Sequence, residues 1–121
     1  MPKKKKSRKQ PAVQAITSVE EWQAKLAQAS ANNMLVLVNF VASWCDPCKT
    51  MRSLYSQLSR KHGDIMFLIV DVDQLSDVAK EWDVSIMPTF IFIKDEEKIE
   101  SLVGADREGL RDMVARHSMS L

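Results

Sequence analysis

The stretch Met34-Leu-Val-Leu-Val-Asn-Phe-Val41 runs straight into Ala42-Ser43-Trp44-Cys45-Asp46-Pro47-Cys48-Lys49, and the second half holds both cysteines of the chain. The first half is nearly unbroken in apolar residues and rich in β-branched ones, which marks a strand buried on both faces, as at the centre of a sheet with parallel pairing. Only Asn39 interrupts it, and the simplest reading is a core amide whose hydrogen bonds are satisfied. From Pro47 the pattern becomes helical, with Met51, Leu54, Tyr55 and Leu58 on one face. Proline suits the first turn of a helix, and Gly63 is expected to stop this one. The cysteine pair is therefore expected at a helix N-terminus, at the tip of a buried strand.

Working outward, Ala12–Thr17 reads as a short first strand on the sheet edge. Ser18 stands three residues before Glu21, a capping-box pattern, and a helix follows from about Val19 to Ser30 with Val19, Trp22, Leu26 and Ala29 on its core face. Trp22 reads as packing. Asn32 and Asn33 end that helix. Beyond the cysteines, Ile65–Asp71 is a second buried strand, and Leu75, Val78, Ala79 and Trp82 line a short helix. Ser85–Lys94 is a third strand beginning around a proline, Asp95-Glu96-Glu97 a charged turn, and Lys98–Val103 its hairpin partner. Asp106 caps a last helix whose core face is Leu110, Met113, Val114 and His117.

The totals set bounds on this reading. The chain has 121 residues, 45% of them hydrophobic, enough for one domain to bury a core without staples. No apolar run approaches the roughly 18–20 residues needed to cross a bilayer, so no integral membrane association is expected. Six of the 17 basic residues lie among the first ten positions, leaving 11 basic against 16 acidic groups, a net of −5, in the remainder. A basic tail, residues 1–11, is thus attached to a mildly acidic domain, residues 12–121. The tail reads as disordered. It carries the charges but not the hydrophobic region of a secretion signal, and it could contact acidic partners or serve as a nuclear address.

A Cys-x-x-Cys segment can be half of a four-thiolate zinc site or a dithiol that cycles with its disulfide. Zinc needs about four ligands, and no second cysteine pair exists, so a metal site would have to be shared between two molecules. The redox reading fits better, and no metal is assigned. A thiolate is the attacking species, and a helix N-terminus favours it. Cys45, expected on the exposed side of the turn, is the candidate nucleophile. Cys48, one turn further in, would resolve the mixed disulfide by attacking Cys45. Lys49 favours the thiolate, whereas a carboxylate at Asp46 opposes it.

Strand, Trp-Cys-x-Pro-Cys-Lys, helix, strand, helix, Met87-Pro88-Thr89 and Val103-Gly104-Ala105 together resemble the thioredoxin family over about Val13 to His117. The resemblance is strongest to cytosolic eukaryotic and plant h-type members, through Phe67–Asp73 and Met87–Phe90. It implies an α/β fold with a central mixed β-sheet flanked by helices on both faces. It also implies a cis Met87–Pro88 bond, and a substrate groove made by Trp44, Pro47, Met87, Pro88, Gly104 and Ala105. The implied activity is protein-disulfide oxidoreduction by a cytoplasmic monomer with no bound cofactor. A thioredoxin reductase would be the electron donor and protein disulfides the substrates. An interaction module or a disulfide isomerase with weak reductase turnover is the alternative.

Several positions depart from the family pattern. Asn39 stands where most members have a buried aspartate, and Ile69 where that aspartate's lysine neighbour is usual. Asp46 replaces a glycine, Val41 a common tryptophan, Ser53 a proline and Glu96 a turn glycine. These changes leave the expected fold intact. Rate and redox poise are the properties they bear on, since an amide at Asn39 cannot accept a proton near neutral pH.

Overall fold

The computed structural model describes residues 12–119, so the expected disorder of the basic tail lies outside the described residues. Its elements are β1 (Val13–Ile16), α1 (Val19–Ala31), β2 (Leu35–Val41), α2 (Asp46–Lys61), β3 (Ile65–Asp71), α3 (Ser76–Glu81), β4 (Thr89–Lys94), β5 (Glu97–Val103) and α4 (Arg107–His117). The strands form one mixed sheet in the order β1-β3-β2-β4-β5. β2 is its centre, parallel to β3 and antiparallel to β4. A strand hydrogen-bonded on both sides and covered on both faces must be apolar along its whole length. Val36, Leu37, Val38 and Phe40 are indeed almost wholly buried.

Alternation along the strands divides the core into two layers. Val36, Val38, Phe40, Leu68 and Val70 face α1 and α3, where they meet Trp22, Leu26, Ala29 and Val78. Trp22 packs against Phe40 and Trp82, with ring centroids 6.2 and 5.9 Å away. Leu37, Phe67, Phe90 and Phe92 face the other way, toward Met51, Tyr55 and Leu58 of α2 and Leu110, Met113 and Val114 of α4. The helices flank both faces, as expected.

The ends of the elements refine several expectations. Ser18 Oγ accepts the Glu21 amide at 3.0 Å, but the Glu21 carboxylate reaches back to the Thr17 amide, one residue earlier than a regular capping box would place it. Asn33 ends α1 with φ 55°, a left-handed conformation that asparagine tolerates. α2 stops at Lys61 with His62 as its C-cap. Gly63 is not among the positive-φ residues, so the stop is not a left-handed glycine cap. The third strand pairs only from Thr89, and of the residues before it Met87 packs against the cysteines. The hairpin turn is Asp95-Glu96, both with positive φ, and Glu97 already belongs to β5. His117 lies at the rim of the core, its ring 4.6 Å from Phe92.

Candidate active site

β2 ends at Val41, and a tight turn, in which Cys45 N donates to Ala42 O at 3.1 Å, carries the chain onto α2. Cys45 is the N-cap of that helix, and its Sγ accepts the Cys48 amide hydrogen at 3.1 Å. The unpaired amides of a helix start, together with the helix dipole, favour negative charge at this sulfur. Cys45 and Cys48 are joined as a disulfide, with Cα atoms 5.4 Å apart. Sequence alone suggested an exposed Cys45. In this oxidised state it is only 3% exposed, because Ala42, Cys48 and the partly buried Met87 and Val72 pack around it.

The tertiary fold brings Met87, far along the chain, against the cysteine pair. The Met87–Pro88 bond is cis, and Pro88 O accepts the Gly104 amide at 2.8 Å. That contact ties the start of β5's trailing loop to the cis proline. Gly104 has φ +100°, a conformation that disfavours any side chain. Trp44 projects from the turn at 65% exposure while its Nε1 donates to Asp73 Oδ2 at 3.0 Å, so the ring is exposed but held. Pro47 and Ala105 are exposed as well. Ile86 and Val103, 60% and 54% exposed, leave apolar surface open next to Met87–Pro88 and Gly104 in sequence. Neither had been singled out from the sequence, where each looked like an ordinary strand residue, and Asp73 was invisible as the partner of Trp44.

The charged neighbours of the pair face water. Asp46 and Lys49 form an exposed ion pair at 3.4 Å, so Lys49 is engaged by the carboxylate whose influence it was expected to oppose. Exposed pairs of this kind contribute little. Asn39 departs further from expectation. It is buried, with Ile69 and Phe90 as its register partners, and its Oδ1 has no hydrogen-bond donor among the described residues. The satisfied core amide inferred from sequence is therefore corrected, because the sheet neighbours at that level offer apolar side chains.

Behind Cys48, on the α2 side of the sheet, lies a cavity of about 400 Å3 walled by Asn39, Val41, Cys48, Arg52, Tyr55, Ile69 and Asp71, among others. The Tyr55 hydroxyl shares its proton between Leu68 O at 2.7 Å and Leu37 O at 3.0 Å. Burial pushes its phenol well above the ordinary value, against the opposing effect of backbone hydrogen bonds. It therefore stays neutral. Among the described residues no group of three His, Cys, Asp or Glu side chains could hold a metal ion, and no helix is long and apolar enough to cross a membrane.

A buried cysteine pair at a helix start with a cis Met87–Pro88 bond is the arrangement that the resemblance implied, and the model of the family named Thioredoxin matches residues 13–116. The chain belongs to the thioredoxin family. It is 43% identical over 104 residues to an H-type thioredoxin of Brassica campestris, covering 86% of this chain and 85% of that one. It is 48% identical over 101 residues to an H-type thioredoxin of Picea mariana, covering 84% and 81%. The crystal structure of a poplar wild-type thioredoxin h superimposes with a TM-score of 0.86 at 40% identity, over 91% of this chain and 99% of that one. The fold is accordingly the thioredoxin fold. Cys45 and Cys48 are the redox-active pair of a thiol-disulfide oxidoreductase, a family that acts on protein disulfides and is reduced by thioredoxin reductase.

Proposed function

We propose that this thioredoxin reduces protein disulfides with Cys45 as the nucleophile and Cys48 as the resolving thiol. The observation that carries the assignment is the hydrogen bond from the Cys48 amide to Cys45 Sγ at the α2 N-cap. It stabilises a thiolate on Cys45, the N-terminal residue of the pair. Cys45 attacks a substrate sulfur and gives a mixed disulfide, and Cys48 then displaces the reduced substrate by forming the Cys45–Cys48 bond.

The substrate lies as an extended peptide against Trp44, Pro47, Met87, Pro88, Gly104 and Ala105, with Met87 offering its backbone for pairing. The exposed Ile86 and Val103 widen the apolar contact. Asp46 and Lys49 tune the Cys45 thiolate from the surface, and Asn39 tunes Cys48 from below. Because an amide does not take up a proton, resolution is slower than it would be over a carboxylate. Likeness to h-type thioredoxins supports a cytoplasmic monomer that takes part in electron transport and is served by a thioredoxin reductase. The domain comprises residues 12–121, and the basic tail, residues 1–11, contacts acidic partners or directs the protein to the nucleus.

Insulin reduction driven by dithiothreitol tests the central claim. The wild-type chain is expected to accelerate it and Cys45→Ser to lose the effect. Equal rates with the two proteins would refute the assignment. Deleting residues 1–11 is expected to leave this rate and the melting temperature unchanged; a large fall in either would show that the tail belongs to the folded domain.

A further inference from the structure

Disulfide exchange at this site leaves one proton unassigned. Cys48 is 5% exposed and becomes a nucleophile only when its Sγ–H bond breaks, and the half-open cavity beside it is the route for that proton. The groups available are those that share the cavity wall with Cys48.

We propose that Asp71 receives the Cys48 proton, through water held in the cavity, as Cys48 resolves the mixed disulfide. The inference rests on the disulfide-exchange reading above. A half-open cavity of about 400 Å3, with polar groups set among apolar ones in its wall, is roomy enough for several waters, each occupying roughly 30 Å3. Its ionisable wall residues come from two elements, α2 and β3. Arg52 of α2 is permanently protonated and cannot accept. Tyr55 of α2 stays neutral and its hydroxyl is taken up by strand carbonyls. β1 and β2 contribute no titratable side chain to the wall, and Asn39 is an amide. Asp71, at the end of β3 and in register with Val41, is the one carboxylate there. Its Oδ1 accepts the amides of Asp73 at 2.8 Å and Gln74 at 3.3 Å, which fixes the carboxylate and leaves Oδ2 for the proton. The next carboxylate along, Asp73, is bound to the Trp44 indole.

The step balances. The Cys48 proton passes through water to Asp71, the Cys48 sulfur electron pair forms the bond to Cys45 Sγ, and the Cys45–substrate disulfide breaks. The electron pair leaves on the substrate sulfur, which is protonated by solvent, and Asp71 returns its proton to solvent. Asp71 thus acts on the resolving thiol through water and is a positioning and proton-accepting residue, distinct from the cysteines themselves.

Stopped-flow reaction of the reduced full-length chain with dithiobis(nitrobenzoate) tests this, since each cysteine step releases one coloured thiolate. Asp71→Asn is expected to leave the first, bimolecular phase unchanged. The second phase should slow by about tenfold near neutral pH, less than the roughly 10²–10⁴-fold typical of direct general-base catalysis because the transfer runs through water, and converge on wild type at alkaline pH. Asp71→Ser retains a hydroxyl for the two amides and should show the same pH-dependent loss. Asn39→Asp added to Asp71→Asn should restore the second phase. A second phase that is unchanged, or slowed by one factor at every pH, overturns the proposal. A first phase that survives Cys45→Ser would instead refute the disulfide-exchange reading beneath it.

Discussion

The two faces of the central sheet are built from alternate residues of the same strands and have been given different tasks. Under α1 and α3 the surface is apolar throughout, from Val36, Val38 and Phe40 to Leu68 and Val70, with Trp22 closing over it. Under α2 and α4 the same strands present Leu37 and Phe67, then Asn39, Ile69 and Asp71 as they approach the cysteines. On that second face an unpaired amide and a cavity replace close packing where the chemistry occurs. A buried polar atom without a partner costs about 1–3 kcal/mol. One face supplies stability, and the other gives some of it up beside a reactive thiol.

Removing a large side chain from the packed face should have the largest effect on stability. Phe40→Ala, at a site with no solvent exposure, is expected to cost about 3–5 kcal/mol by chemical denaturation. Its first-phase thiol reactivity should be nearly normal in the fraction that stays folded. A loss below about 1 kcal/mol would show that this face is less tightly packed than its burial implies.

On the other face, Asn39→Asp should trade stability for rate. Burial disfavours the charged carboxylate, so a loss of about 1–3 kcal/mol is expected. Resolution of the mixed disulfide should accelerate several-fold, because a second proton acceptor, besides Asp71, then stands in the wall that Cys48 shares. Equal single-turnover rates in the two proteins would show that Cys48 deprotonation does not limit this step.

The smallest effect should come from the rim of the α2 and α4 face. Glu100 is bound by Arg116 at 2.9 and 3.1 Å and by His117 at 2.7 Å. The Arg116 hydrogen bonds come first among the causes that hold its carboxyl at about 2, below the ordinary 4.5. A depressed value stabilises the folded state above the unfolded pKa and is lost as pH falls through the folded one. Glu100→Gln should therefore be slightly less stable than wild type near neutrality, with the difference shrinking from about pH 4.5 and gone by about pH 2. A difference that persists unchanged to the acid end would assign the effect to shape rather than charge.

Most of the fold was legible in the sequence because its signals are local. Uninterrupted apolar runs gave β2 and β3, and Ser18 and Asp106 marked helix starts that their side chains do cap. The failures are equally physical. Gly63 looked like a helix stop and does follow the C-cap His62, but it lacks the positive φ of a left-handed glycine cap. Asn39 looked like a satisfied amide because sequence does not say what stands opposite. Its register partners proved to be Ile69 and Phe90. Cys45 looked exposed because its covering residue, Met87, is 42 positions away.

The sequence by itself determined the chemistry: two thiols separated by two residues, at the junction of a buried strand and an amphipathic helix, with tryptophan before and lysine after. Those facts follow from covalent spacing and from 3.6-residue and two-residue periodicities, which act over a few residues. Only the tertiary structure decided what surrounds the sulfurs. The cis Pro88 just before β4 is bonded to Gly104 just after β5, the Trp44 ring is fixed by Asp73, and the cavity wall joins Asp71 of β3 to Cys48 of α2. Such neighbours are set by strand order and register, which depend on how whole faces pack, and no local pattern encodes them.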